Sequence, residues 1–139
     1  MNIEVRYLSK SGNTKKVAEA IAETLNVAAK PITEPVSPDT DLLFLGGAVY
    51  AFGIDEGLKA FIHNLSGVKA VAVFSTTAVV KSAYSHIKPL LDAKDIAALD
   101  AEFHCRGAFK FLHKGRPNAD DLKRAGEFAR TVADLHKGR

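Results

Sequence analysis

The sequence predicts an α/β fold: a doubly wound, five-stranded parallel sheet with helices on both faces. Three observations lead there. Strand-like and helix-like patterns alternate along nearly the whole chain, as crossover units of a parallel sheet require. Two short segments, residues 42–45 and 68–74, are apolar almost without interruption, which suits strands buried on both faces. A hydroxyl-rich turn at residues 9–13 stands between the first strand and the first helix.

Residues 2–8 read as a strand, with Ile3, Val5 and Tyr7 on one face. Residues 14–25 read as a helix, since Val17, Ile21 and Leu25 recur every four positions. Asn26 suits its C-terminal cap. Residues 27–32 form a weak second strand, and Pro31, Pro35 and Pro38 make the stretch that follows a loop. Residues 42–45 are a central strand ending at Gly46–Gly47, and residues 48–54 a loop. A helix opens at Asp55 or Glu56 and runs through Leu65, with Leu58, Phe61, Ile62 and Leu65 inward. After the strand at 68–74 come a Ser/Thr-rich loop at 75–81 and a helix at 82–91.

The fifth strand falls within residues 96–105. There Ala101, Phe103 and Cys105 alternate with Glu102, His104 and Arg106, so one face is expected to be wet, as at a sheet edge. Residues 107–115 are irregular. The last helix starts at Pro117–Asn118 and carries Leu122, Ala125, Phe128, Ala129, Val132 and Leu135 at helical spacing. Right-handed crossovers distribute the helices over both faces. No repeat or linker interrupts the pattern, so residues 1–139 are expected to form one domain.

Composition narrows the function classes. The 47% hydrophobic and 25% charged fractions are those of a globular protein. No apolar run approaches the roughly 18–20 residues of a membrane helix, and residues 1–7 lack a signal-peptide core. The expectation is a cytoplasmic protein with no membrane span, monomeric or weakly dimeric. The net charge is +3, but Lys and Arg are dispersed, so no nucleic-acid surface is expected. The single cysteine, Cys105, cannot form an intrachain disulfide and suits a buried structural position. The histidines, His63, His86, His104, His113 and His136, show no metal spacing. Adjacent His104 and Cys105 point to opposite strand faces, which rules against a dyad. Asp120 and Asp121 favour the dipole of the last helix. No catalytic acid, base or metal ligand is expected.

The chemistry concentrates at Ser9-Lys10-Ser11-Gly12-Asn13-Thr14. This loop offers hydroxyls at Ser9, Ser11 and Thr14, and backbone N–H groups at a helix start, where the dipole favours an anion. Gly12 admits close backbone approach, and Lys10 and Lys15 raise the local positive potential. Neither the Walker pattern nor the dinucleotide G-x-G-x-x-G is present. The other reading of the same residues is an ordinary turn with a Ser, Asn or Thr N-cap.

The loop matches [ST]-x-[ST]-G-x-T after a first strand, and so resembles the phosphate loop of flavodoxins. Gly46-Gly47-Ala48-Val49-Tyr50 is similar to the second flavodoxin element, a Gly-containing strand end followed by an aromatic loop. The end of the chain, from His104 through Arg116-Pro117-Asn118 to Ala129, is similar as well. The resemblance covers essentially the whole chain. It implies strand order 2-1-3-4-5, bound flavin mononucleotide (FMN), and electron shuttling between a reductase and a redox partner docked over the flavin edge. Ligands of such sheets lie beyond the strands' carboxyl ends, a rule that flavodoxins themselves exemplify. The implied cofactor site comprises Ser9, Lys10, Ser11, Gly12, Asn13 and Thr14 for the phosphate. Ala48, Val49, Tyr50, Ala51, Phe52 and Gly53 form one ring wall, with Tyr50 stacking on the isoalloxazine. Ser75, Thr76, Thr77 and Ala78 form the other, through hydroxyls and backbone. Two other readings stay open: an FMN-dependent oxidoreductase acting on a small acceptor such as a quinone, and a binding protein that keeps the fold without FMN.

The chain departs from the family pattern at three places. Residues 75–81 lack a second aromatic, leaving that ring face either open or covered by Ala78 and Val79. The chain is basic, with Lys81 near the expected site, so a reduced anionic flavin would be stabilised and the potential raised. Residues 33–41 are too short and proline-rich for a crossover helix. That fits charged Glu4 and Arg6 in the first strand, which are expected to be partly exposed as a local ion pair, a covering second subunit being the other reading.

Overall fold

The computed structural model describes residues 1–49, 53–77, 82–108 and 113–137. The elements run β1 (Ile3–Tyr7), α1 (Asn13–Leu25), β2 (Ala29–Pro31), β3 (Leu42–Val49), α2 (Glu56–His63), β4 (Ala70–Thr77), α3 (Tyr84–Asp92), β5 (Ala97–Arg106) and α4 (Ala119–Lys137). The strands form one parallel sheet in the order β2-β1-β3-β4-β5. This is the doubly wound architecture the alternating pattern predicts.

Strand alternation divides the core into two layers. Val5, Tyr7, Phe44 and Phe74 face Val17 and Ile21 of α1 and Ala129 and Val132 of α4. Leu43, Leu45, Val71 and Val73 face Leu58 and Ile62 of α2 and Ile87 and Leu91 of α3. Each fully buried side chain of this size contributes about 1.5–3 kcal/mol, so β3 and β4, apolar on both faces, anchor the fold. Asn26 ends α1 in the left-handed conformation (φ 58°), as expected of an Asn cap.

Several boundaries differ from the sequence expectation. β3 continues through Gly46 and Gly47 to Val49, so Ala48 and Val49 are strand rather than loop. β4 likewise takes in Ser75, Thr76 and Thr77, and the two strands stay paired to Val49↔Thr77. The glycines there serve packing: a Cβ on Gly46 would lie 2.0 Å from the Phe74 ring, and one on Gly47 would lie 2.6 Å from Leu58. The second strand shrinks to Ala29–Pro31, because the Val27 N–H at its expected start is spent on the Ala22 carbonyl of α1 (2.9 Å).

The helix-free crossover between β2 and β3 is held by Arg6. An extended segment leaves its carbonyls without the partners a helix would supply internally. The Arg6 guanidinium donates to the carbonyls of Glu34 (3.0 Å), Pro35 and Val5 (3.0 Å), and to Glu4 Oε1 (2.8 Å). Glu4 Oε2 accepts from the Ser37 N–H and the Thr40 hydroxyl, both at 2.7 Å. The expected ion pair is present, but the expected exposure is not: Arg6 is only 2% exposed, covered by the chain's own proline-rich segment.

On the other face, the link into α4 is fastened by Asp121. Asn118 Oδ1 accepts the Asp121 N–H (2.9 Å) and Asp121 Oδ2 accepts the Asn118 N–H (2.8 Å), a reciprocal cap. Arg116 Nη2 (2.7 Å) and Arg124 Nη2 (3.1 Å) donate to Asp121 Oδ1. Asp121 is fully buried, so it does more than complement the helix dipole.

Two outcomes follow from these clasps. Arg6→Met removes the donors to the Glu34 and Pro35 carbonyls and should destabilise the protein by roughly 2–3 kcal/mol, read by urea denaturation. For Asp121, the Arg116 hydrogen bond holds the carboxyl below its ordinary range despite burial. A folded-state pKa below the unfolded value contributes stability that is present above about pH 4 and lost as pH falls through the folded pKa. Asp121→Asn should therefore be less stable at pH 7 and show a shallower loss of stability below about pH 4. An unchanged acid slope would contradict the assignment.

Candidate functional site: an uncapped helix start at the carboxyl edge of the sheet

The β1–α1 loop is held from three sides. The Leu8 N–H donates to the Gly46 carbonyl (3.0 Å), fixing the exit of β1 against β3. Ser9 Oγ accepts the Gly12 N–H (3.0 Å), closing the turn from within. Thr14 is buried, and its hydroxyl pairs with that of Thr76 on β4 at 2.8 Å. Asn13 Nδ2 donates to the Ala108 carbonyl just past β5 (3.0 Å). Gly107 makes that approach possible, since a Cβ there would stand 3.0 Å from Asn13 Nδ2 and 3.3 Å from Thr76.

Gly12 is the N-cap of α1, in the left-handed conformation (φ 91°), and no side chain caps the helix. The reading of this turn as an ordinary Ser, Asn or Thr N-cap is therefore not met. The first intrahelical bond runs from the Lys16 N–H to the Gly12 carbonyl (3.1 Å). The N–H groups of Asn13, Thr14 and Lys15 precede it and have no acceptor within the helix. A Cβ on Gly12 would meet nothing within 4 Å, so space is open over the turn. Ser11 and Lys15 are exposed beside it. Uncapped N–H groups, open space, a free-standing hydroxyl and the positive end of a helix dipole together suit a phosphate monoester.

Lys10 is placed differently from expectation. Its Nζ pairs with Asp55 Oδ2 (2.9 Å), and Asp55 Oδ1 in turn caps α2 by accepting the Gly57 N–H (2.7 Å). The Lys10 hydrogen bond and that cap hold the Asp55 carboxyl below its ordinary range. Lys10 thus ties the β1–α1 loop to the start of α2 across the sheet edge.

The residues expected at the ring walls divide. Ala48 and Val49 lie on β3 in register with Thr76 and Thr77. Gly53 (φ 110°) is buried, with His86 Nδ1 of α3 beside it, 3.4 Å from where its Cβ would stand. Tyr50, Ala51, Phe52 and Ala78, with Val79 and Lys81, lie outside the described residues. The hydroxyls of Ser75, Thr76 and Thr77 are turned into the protein. Ser75 Oγ accepts the Ala83 N–H at the start of α3 (3.1 Å), Thr76 pairs with Thr14, and Thr77 Oγ1 accepts from Arg106 Nη1 (3.4 Å). The family resemblance implies that they contact a ligand through hydroxyls and backbone; as strand residues their hydroxyls join neighbouring elements.

Asn13 and Gly107, and Asp55 in its pairing with Lys10, gain roles that the sequence does not announce. Their partners lie far along the chain, 95 residues away for Asn13 and Ala108, and no local pattern marks such a contact. Among the described residues, no group of three or more His, Cys, Asp or Glu is placed to hold a metal ion, and no helix is long and apolar enough to cross a membrane.

Known proteins share this architecture. A relative from Methanocaldococcus jannaschii, the uncharacterized protein MJ0298, is 32% identical over 136 residues, covering 86% of this chain and 89% of that protein. A flavodoxin from the domain Archaea superposes with a TM-score of 0.72 at 21% identity, covering 99% of both chains. Oxidised Flavodoxin 2 from Bacillus cereus gives 0.73 at 18% identity, covering 97% of this chain and 99% of its own. The rubredoxin oxygen:oxidoreductase of Desulfovibrio gigas gives 0.77 at 13% identity, with this chain spanning 36% of it. These structural likenesses establish the fold. The sequence model of the Flavodoxin domain family matches residues 4–112, and the chain belongs to that family.

Proposed function

We propose that the chain binds FMN, with the phosphate over the first turn of α1, and carries electrons between a reductase and a redox partner docked over the flavin edge. The observation that carries this reading is the start of α1: it has no side-chain cap and opens onto empty space at Gly12. The N–H groups of residues 13–15 and the Ser11 hydroxyl would receive the phosphate oxygens, and Lys15 would add positive charge. FMN, when bound, supplies the electron-accepting ring; the chain's part is to hold it, orient it and set its electrostatic surroundings. Tyr50 and Phe52 are assigned to the ring wall on the family resemblance, and Ala48, Val49 and Gly53 to its supporting backbone.

Titration with FMN and with riboflavin, followed by visible absorbance, tests the assignment. FMN should bind more tightly than riboflavin, because only FMN engages the loop through a phosphate. Ser11→Ala should weaken FMN about tenfold, the worth of one hydrogen bond to a charged group, and leave riboflavin unchanged. No spectral change at saturating FMN would overturn the reading. Thr14 should behave differently from Ser11, since its hydroxyl is spent on Thr76. Thr14→Val and Thr76→Val should each destabilise the fold by about 1 kcal/mol or more, and the double variant by clearly less than the sum. Additive effects would show that the two hydroxyls act independently.

A further inference from the structure

β5 is an edge strand: β4 pairs with its inner side, and among the described residues no strand pairs with its outer side. Charged residues on such an edge ordinarily deter pairing. The backbone decides which residues face outward. The Gly107 N–H donates inward, to the Thr77 carbonyl at the end of β4 (3.1 Å). Backbone direction alternates along a strand, and the register from Val73↔Glu102 to Thr77↔Arg106 is unbroken. Phe103 and Cys105 therefore bond inward, and the N–H and C=O groups of Glu102 and His104 point out of the sheet edge. Nearer the start of β5 the ladder is interrupted, with Leu99, Asp100 and Ala101 standing against Ala72 alone, a bulge that bends the strand. A regular edge is thus confined to the second half of β5. On one face of it, Phe103 is half-buried, with its ring 5.9 Å from that of Phe128 on α4. Phe128 also meets Phe44 of β3 at 6.0 Å, so α4 is set back over the sheet and leaves the edge clear. Leu135, two turns beyond Phe128 on the same helix face, is 64% exposed. On the other face, His104 Nδ1 stands 3.0 Å from Glu102 Oε1, and the His104 side chain is 43% exposed.

We propose that this edge pairs with the same edge of a second copy of the chain, as an antiparallel β5–β5 ladder with its two-fold axis at Phe103. This register sets outward-facing backbone against outward-facing backbone. Glu102 lies opposite His104 of the second copy, His104 lies opposite its Glu102, and each pair exchanges both N–H···O=C bonds. A carboxylate then faces an imidazole at both pairs, the charge pattern that favours cross-strand contact. An axis at Glu102 would set carboxylate against carboxylate, and one at His104 would set imidazole against imidazole. The two Phe103 rings meet at the axis, where a non-hydrogen-bonded pair brings side chains closest, and each is backed by its own Phe128. Neither Glu102 nor His104 belongs to the start of α1, so the pairing does not rest on the FMN reading. The regular edge is short, which sets the dimer in the micromolar range of protein concentration.

Sedimentation velocity over a concentration series, with amide hydrogen exchange at low and high concentration, tests the pairing. The wild-type chain should pass from monomer to dimer in the micromolar range. The Glu102 and His104 amides should gain protection as it does so, while Phe103 and Cys105, already bonded to β4, should change little. His104→Glu sets a carboxylate opposite Glu102 at both pairs and should weaken dimerisation about tenfold. Adding Glu102→Lys to it restores opposite charges at both pairs and should recover the dimer. A chain that stays monomeric throughout the series, a dimer whose newly protected amides lie elsewhere, or a double variant as impaired as His104→Glu would each overturn the proposal. Where a variant does not fold, the concentration-dependent exchange of the wild-type chain decides alone.

Discussion

The hydrogen bond between Thr14 and Thr76 is the interaction on which the candidate site depends. It joins the first turn of α1 to the carboxyl end of β4 across 62 residues, in a buried setting. A hydroxyl pair sealed from water is costly to leave unmade, because either partner alone would be an unsatisfied polar group. The bond therefore fixes where α1 begins. Gly12, at the N-cap position, has no side chain to cap the helix, which leaves the first N–H groups uncapped. Thr14, inside the first turn, holds that turn against β4. Asn13 and Gly107 add to it by seating the exit of β5 against the same turn. The anion-ready surface is thus built by tertiary contacts beneath it.

The same logic governs the opposite side of β1. A crossover without a helix must find partners for its carbonyls elsewhere, and one guanidinium with five N–H groups is the densest donor set available in a side chain. Burying such a charge alone would cost several kcal/mol. Here Glu4 neutralises it, while Ser37 and Thr40 hold Glu4 in place. For Glu4, burial raises the pKa, but the hydrogen bonds from Thr40 and Ser37 and the Arg6 charge outweigh it, so the carboxyl is held below its ordinary range. A charged pair in an interior strand, which looks like a flaw in the apolar pattern, substitutes for a missing helix.

Local patterns reveal the order of elements because hydrophobic period and turn chemistry are local properties. The apolar segments, the Asn26 cap and the alternation of β5 all translate directly into structure. The polar ends of β3 and β4 do not. Gly46, Gly47 and Ser75 to Thr77 have loop-like composition, and only pairing between the two strands, as far as Val49↔Thr77, makes them extended. Arg6 illustrates the same boundary. Its charge suggests exposure, yet its partners Glu34 and Pro35 lie 28 and 29 residues away. The β1–α1 loop was legible as an element because a strand, a hydroxyl-rich turn and a helix follow one another in sequence. The contacts of Ser75 and Thr76 were not, since each depends on which neighbour lies across the sheet.

These placements bear on how electrons could pass through the molecule. The single thiol is badly suited to redox chemistry: Cys105 is buried in the α1–α4 layer. Burial foremost, then the Asp121 charge, pushes its pKa up to about 11, although Arg116 and Arg124 act in the other direction. A thiol in that state is neutral at physiological pH and shielded from partners, which removes both requirements for thiolate reactivity. The tyrosine at the start of α3 is no better placed, since burial, with Asp100 next, raises its pKa too. On the FMN reading proposed above, electrons would be carried by the bound group, and the part of the described fold that reads most directly as its receptacle is the uncapped start of α1.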